Sequence, residues 1–146
     1  MAVDAVAELM SYLQTNWDSS NTDSKTPTFQ KLYKNQIKSL GLGTRNGDLV
    51  TFYQTTSPKR SSGIDSTVVY HESNISIDVH CYIDETHAMK VRDEVYSLLQ
   101  KLRSVGTTSF RHLDHAWNEV DHSSKAVGYF RYTISVKLFT YRRDYT

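Results

Sequence analysis

The sequence predicts an α+β domain, with a mostly antiparallel four- to five-stranded sheet packed against an N-terminal helix and one long internal helix. Apolar residues recur at three- and four-residue spacing near the N-terminus and again in the middle of the chain, and other stretches alternate strictly between apolar and polar. The alternating stretches are grouped around a single internal helix and show no strand-helix-strand rhythm, which argues against a parallel α/β sheet. At 146 residues the chain has the size of one domain, and residues 1–146 are read as one unit with one core.

Val6, Leu9, Met10, Leu13 and Trp17 define the stripe of a helix over Asp4 to Trp17. DSSNTDSKTP, residues 18–27, has the composition of a polar connector. Phe29, Leu32, Tyr33, Ile37 and Leu40 are spaced for a short second helix ending at Gly41. RNGD then signals a turn, and DLVTFYQTT is a strand rich in β-branched and aromatic residues. SPKRSSGID, residues 57–65, combines Pro, Gly and Ser with the adjacent cations Lys59 and Arg60, and is expected to be an exposed loop. STVVYHE resumes a strand, and NISIDVHCYID continues it with Ile75, Ile77, Val79, Cys81 and Ile83 on a core face. Ser76, Asp78, His80 and Tyr82 occupy the other face, expected to be wet or to meet a partner.

Asp84 or Thr86 can cap the long helix, whose stripe is Ala88, Val91, Val95, Leu98, Leu99 and Leu102, with Gly106 closing it. Phe110 to Asn118 alternates as a strand, and VDHSSKAVG reads as a connecting turn. YFRYTISVKLFTY is a long closing strand with Phe130, Tyr132, Ile134, Val136 and Leu138 inward, and Arg131, Thr133, Ser135 and Lys137 outward.

Seventeen Lys and Arg against sixteen Asp and Glu leave a formal charge of +1, too little for a global field that would hold a polyanion. The single cysteine excludes an internal disulfide and a multi-cysteine zinc site. No apolar run approaches the ~18 residues of a membrane span, and the opening MAVDAVAELM lacks a signal peptide's pattern, so a soluble protein of intracellular origin is expected. Ten tyrosines suit half-wet contact surfaces as well as strands.

The histidine-rich stretch FRHLDHAWNEVDH invites a metal or acid/base reading. Strand alternation separates its donors, with His112 and Asp114 on one face and His115 on the other, and HLDH is not the HExxH spacing of a zinc helix. His80 and Cys81 are neighbours on opposite faces, so they form no dyad, and Cys81 is expected to be a small buried thiol. GLGTRNG lacks the lysine and the following helix of a phosphate loop. Arg142 and Arg143 beside Tyr141 and Tyr145 make a small basic and aromatic tail. No catalytic, metal or cofactor site is expected from these residues.

The order of an N-terminal amphipathic helix, TPTFQKLY, a strand and loop, NISIDVHCYI, ETHAMKVRDEVYSLLQKL and the closing SKAVGYFRYTISVKLFTY resembles the tail terminator and tail completion proteins of tailed viruses. In those small α+β proteins a strand leads into the long helix, and a Gly-aromatic-Arg-Tyr start, here Gly128, Phe130, Arg131 and Tyr132, leads into a last alternating strand. The resemblance spans nearly the whole chain. It implies a non-enzymatic virion protein without cofactor, made in the host cytoplasm, that forms a homo-oligomeric ring, commonly a hexamer. Such a ring ends the tail tube and joins it to the neck or head. Its implied partners are its own copies, the tail tube protein and a neck or head-completion protein, with no membrane, and nucleic acid at most passing through the lumen. On this reading Lys59 and Arg60 would dock an adjacent ring, while Asp78, His80, Tyr82, Arg131 and Lys137 are candidates for a subunit interface. The alternatives are a small nucleic-acid-binding module using Arg131, Lys137, Arg142 and Arg143, and a metal-dependent hydrolase using His112, Asp114 and His115.

Overall fold

The computed structural model describes residues 5–31, 48–56, 59–61, 68–82, 84–105, 112–113, 118–124 and 128–143. Among the described residues two α-helices, α1 (Ala5–Asn16) and α2 (Glu85–Val105), pack on a sheet, giving the α+β class. The strands are β1 (Thr28–Lys31), β2 (Leu49–Thr56), β3 (Lys59–Ser61), β4 (Val68–Tyr82), β5 (His112–Leu113), β6 (Asn118–Asp121) and β7 (Tyr129–Arg143). The order across the sheet is β1-β2-β4-β7-β5, with β3 pairing along β4 and β6 along β7. β1 runs parallel to β2, and every other pair is antiparallel.

The predicted stripes meet in one core. Val6, Leu9 and Leu13 of α1 and Ala88, Val91, Val95, Leu98, Leu99 and Leu102 of α2 are buried against Val50 and Phe52 of β2, Ile75 to Cys81 of β4 and Phe130 to Leu138 of β7. Asp84 is the α2 cap, with its carboxylate accepting from the Thr86 N–H at 3.0 Å and its carbonyl from Ala88 at 3.1 Å. Gly128 takes φ 64° just before β7, a conformation that a side chain would oppose. The β6 strand is fastened to α2 by Glu119, which accepts from the Tyr96 hydroxyl at 2.9 Å and lies 3.6 Å from Arg92 Nε. Val120 and Asp121, expected in a turn, belong to this strand.

The structure corrects four expectations. The 18–27 connector is built in. Asp18 caps a 3-10 turn over Ser19–Asn21, and the buried Glu94 of α2 accepts from the Asp18 N–H at 3.2 Å and Asn21 Nδ2 at 3.3 Å. Thr22 is fully buried, its hydroxyl donating to the Lys25 carbonyl at 2.7 Å. Polar composition signals mobility only when no distant acceptor exists, and here Glu94 supplies one. Second, Thr28 to Lys31 is a strand, not the start of a helix. Phe29 stacks on Phe52 of the same sheet at 6.4 Å and meets Trp17 edge-on at 5.5 Å, so sheet packing outweighs the helical spacing. Residues 32–40 of that segment lie outside those described.

Third, the 57–65 segment is not simply a loop, because Lys59 to Ser61 pair with Val69 to His71 of β4. The long β4 extends past the end of β2 and offers a free edge there. Residues 57, 58 and 62–65 lie outside those described. Fourth, the face of β4 expected to be wet or to meet a partner is buried within the chain itself at Asp78 and His80, which are 7% and 4% exposed. Cross-strand polar partners, described next, make that burial tolerable.

Candidate functional site

On the side of the sheet away from the helices, register aligns Thr51, Asp78, Thr133 and Val120 in one row and Leu49, His80 and Arg131 in the next. His80 lies 3.2 Å from the Thr51 hydroxyl through Nε2 and 2.6 Å from the Tyr129 hydroxyl through Nδ1. The Tyr129 ring packs 5.2 Å from Tyr82, and burial pushes the Tyr129 hydroxyl up to about 12. Arg131 donates from a terminal guanidinium nitrogen to Asp78 Oδ2 at 2.9 Å. Asp78 Oδ1, Arg131 Nε and Thr133 Oγ1 are buried and have no hydrogen-bond partner among the described residues. Such groups each cost on the order of 1–3 kcal/mol until something pairs with them.

Further along this face the surface opens. Thr55, Asn74, Ser76, Asn118, Ser135 and Lys137 line a shallow polar hollow, and Val120, half exposed, adds an apolar spot at its side. Lys137 is exposed and 3.9 Å from Glu72. Of the five residues expected at an interface, Asp78 and His80 are therefore consumed by intrachain contacts. Tyr82 and Arg131 are partly accessible, and Lys137 is open.

The second element is the far end of the β4–β7 ribbon. Helix α2 starts where β4 ends and runs back along it; its 21 residues span ~31 Å at ~1.5 Å each. Each ribbon strand has 15 residues and spans ~50 Å at ~3.3 Å each. The helix therefore covers the ribbon from Tyr82 and Tyr129 only to about Ser73 and Leu138, and roughly five residues of each strand extend past it. Here β3 joins as a third strand. Lys59 stands opposite His71, Arg60 opposite Tyr70, and Ser61 opposite Val69, while β7 places Thr140, Tyr141 and Arg142 opposite the same β4 residues. Arg143 pairs with Val68 at the tip. The two basic pairs, Lys59 with Arg60 and Arg142 with Arg143, are remote in sequence and share one three-stranded arm.

His112 lies in β5, opposite Phe139, whereas Asp114 and His115 fall outside the described residues. The described residues that converge as possible metal donors are instead Asp48, Cys81 and His87. His87 was legible as an anomaly, a polar residue one turn before Val91 on the apolar stripe of α2. Asp48 and Asp23 carried no such mark. No protein-family profile matches this sequence, and no curated protein matches it. No helix is long and apolar enough to cross a membrane among the described residues.

Proposed function

We propose that this chain is a structural assembly protein of the tail-terminator or head-to-tail joining kind, acting as a homo-oligomeric ring between a tail tube and a neck or head. The observation that carries the reading is the three-stranded arm, which reaches ~18 Å past the end of its covering helix. An extension of that length suits a strand-mediated contact with a neighbouring subunit or ring. The sheet face turned away from α1 and α2 supports the same reading. Next to its buried polar row stand the accessible residues Val120, Ser135 and Lys137, which suit a polar docking surface with an apolar spot. In this assembly Lys59, Arg60, Arg142 and Arg143 supply positive charge at the arm, and Tyr82, Arg131 and Lys137 belong to the subunit-facing side.

Negative-stain micrographs and sedimentation of the purified chain over a range of concentrations test the reading. Closed rings are expected. Charge reversal at Lys59, Arg60, Arg142 and Arg143 should leave the melting temperature within a few degrees while reducing ring formation or ring stacking. A chain that stays monomeric at its highest soluble concentration, or rings indifferent to those four changes and to truncation of the arm, would sink it.

One observation favours a second reading, a module binding single-stranded nucleic acid. Register aligns Arg60, Tyr70 and Tyr141 in one row, with Arg143 two positions on along β7, so basic and aromatic positions share one face of the arm. Arg131, one of the cations expected to serve that role, is paired with Asp78. Binding that falls steeply with salt and disappears on arm charge reversal would favour this reading over assembly.

A further inference from the structure

The first turn of α2 sets His87 over the end of β4. Leu49 pairs with His80, so Asp48, just before β2, comes alongside Cys81 on the core side. His87 is buried, with Nε2 at 2.5 Å from Asp48 Oδ2 and Nδ1 at 2.8 Å from Asp23 Oδ2. Asp23 adopts a left-handed backbone at φ 54° and accepts from Lys90 Nζ at 2.7 Å. The Cys81 thiol is fully buried beside the Asp48 carboxylate, and burial, with that carboxylate's charge and hydrogen bond, pushes it well above the usual thiol range. One carboxylate oxygen, one imidazole nitrogen and one sulfur, from Asp48, His87 and Cys81, lie within 4.8 Å of one another.

A neutral imidazole carries one N–H. When Nδ1 gives it to Asp23, Nε2 and the Asp48 oxygen turn lone pairs toward each other, and at hydrogen-bonding distance the two carboxylates hold the ring in its doubly protonated form. That second proton relieves the conflict without involving Cys81. A divalent metal relieves it and also uses the sulfur, which lies on the same side of Asp48.

We propose that Asp48, Cys81 and His87 bind one zinc ion, with Asp23 orienting His87 from behind. The donor set of nitrogen, oxygen and sulfur suits zinc's borderline softness, and three protein donors leave one coordination position for water or another donor. A metal-bound histidine ordinarily gives its other N–H to a carboxylate, the part that Asp23 plays here. The charges balance. Carboxylate and thiolate neutralise the ion, and Lys90 neutralises Asp23, so the buried site carries no net charge. Zinc bond lengths of about 2.0–2.3 Å require donors roughly 3.3–3.7 Å apart, so the Asp48 carboxylate draws back by about 1 Å on loading. Asp48 precedes the strand, and a side-chain rotation there leaves the β2 ladder intact. Binding removes the Cys81 proton, so affinity rises with pH. The ion would clasp the Asp23 turn, β2, β4 and α2 at one point, independently of whether the arm mediates assembly.

Cobalt titration of the chelator-treated full chain provides the test, because a thiolate-to-cobalt absorption band can come only from Cys81, the single cysteine. One cobalt per chain with that band is expected, together with its displacement by zinc and a rise in melting temperature when zinc is added. Asp23→Asn should keep the band and weaken zinc binding by about 10- to 100-fold, and His87→Gln should weaken it further. Absence of binding, or binding without the thiolate band, overturns the proposal and leaves a proton shared by His87 and Asp48. Both of those readouts use the unmodified chain, so a variant that fails to fold does not blunt them.

Discussion

Replacing Asp78 by alanine measures what the sheet face turned away from α1 and α2 is for. Had it been a solvated surface position, the change would cost no more than about 0.5 kcal/mol. In the structure Asp78 is 7% exposed and accepts from Arg131 at 2.9 Å. Alanine leaves the guanidinium without its carboxylate. Breaking a fully buried pair costs ~3–5 kcal/mol, but the Arg131 side chain is 30% exposed, and water recovers part of the loss. Relief of the unpaired Asp78 Oδ1 offsets a little more. The expected loss is about 2 kcal/mol, which for a domain of this size lowers the melting temperature by roughly 5–10 °C. Urea denaturation of Asp78→Ala, Arg131→Met and the double variant should show coupling, with the double losing less than the sum of the singles. A single-variant loss under about 0.5 kcal/mol together with additive effects would refute the buried pair.

Glu94→Ala removes the acceptor for Asp18 and Asn21 and should cost roughly 1–3 kcal/mol, with faster amide exchange in residues 18–25 than elsewhere as the distinguishing readout. Val79→Asp puts a carboxylate at a fully buried core position and should unfold the chain, by at least several kcal/mol, as judged by circular dichroism; a folded variant would mean that the strand register is wrong. Tyr129, raised by burial from 10.0 to about 12, holds its proton longer in the folded state. Its contribution is fully present below pH 10 and is lost as pH rises from there through about 12. Melting followed between those limits should fall less steeply in Tyr129→Phe, and equal slopes would remove this residue from the alkaline transition.

Local pattern carried most of the architecture because it depends only on where successive side chains point. The stripes of α1 and α2 and the alternation in β4 and β7 each face one way, and a single apolar layer was available to cover them. Even the Asp84 cap was readable, since its partner Thr86 is two residues away. Pattern erred where a short segment was decided by its neighbours, as when Phe29 entered a strand beside Phe52.

Alternation divided β4 correctly into two faces, and it alone could not say that the polar one was buried. That depended on Thr51, Tyr129 and Arg131 arriving from two other strands to pair with His80 and Asp78. The same holds for the connector held by Glu94 from 76 positions away, and for His87 held between Asp23 and Asp48. Lys59 and Arg60 share an arm with Arg142 and Arg143 only because β3 and β7 pair with opposite edges of β4. The sequence by itself determined which residues were apolar, how often they recurred and therefore which segments became helix and strand. Tertiary structure decided which polar groups met, because a hydrogen bond or ion pair between distant residues leaves no period in the chain and forms only when the packed core brings its partners within about 3 Å.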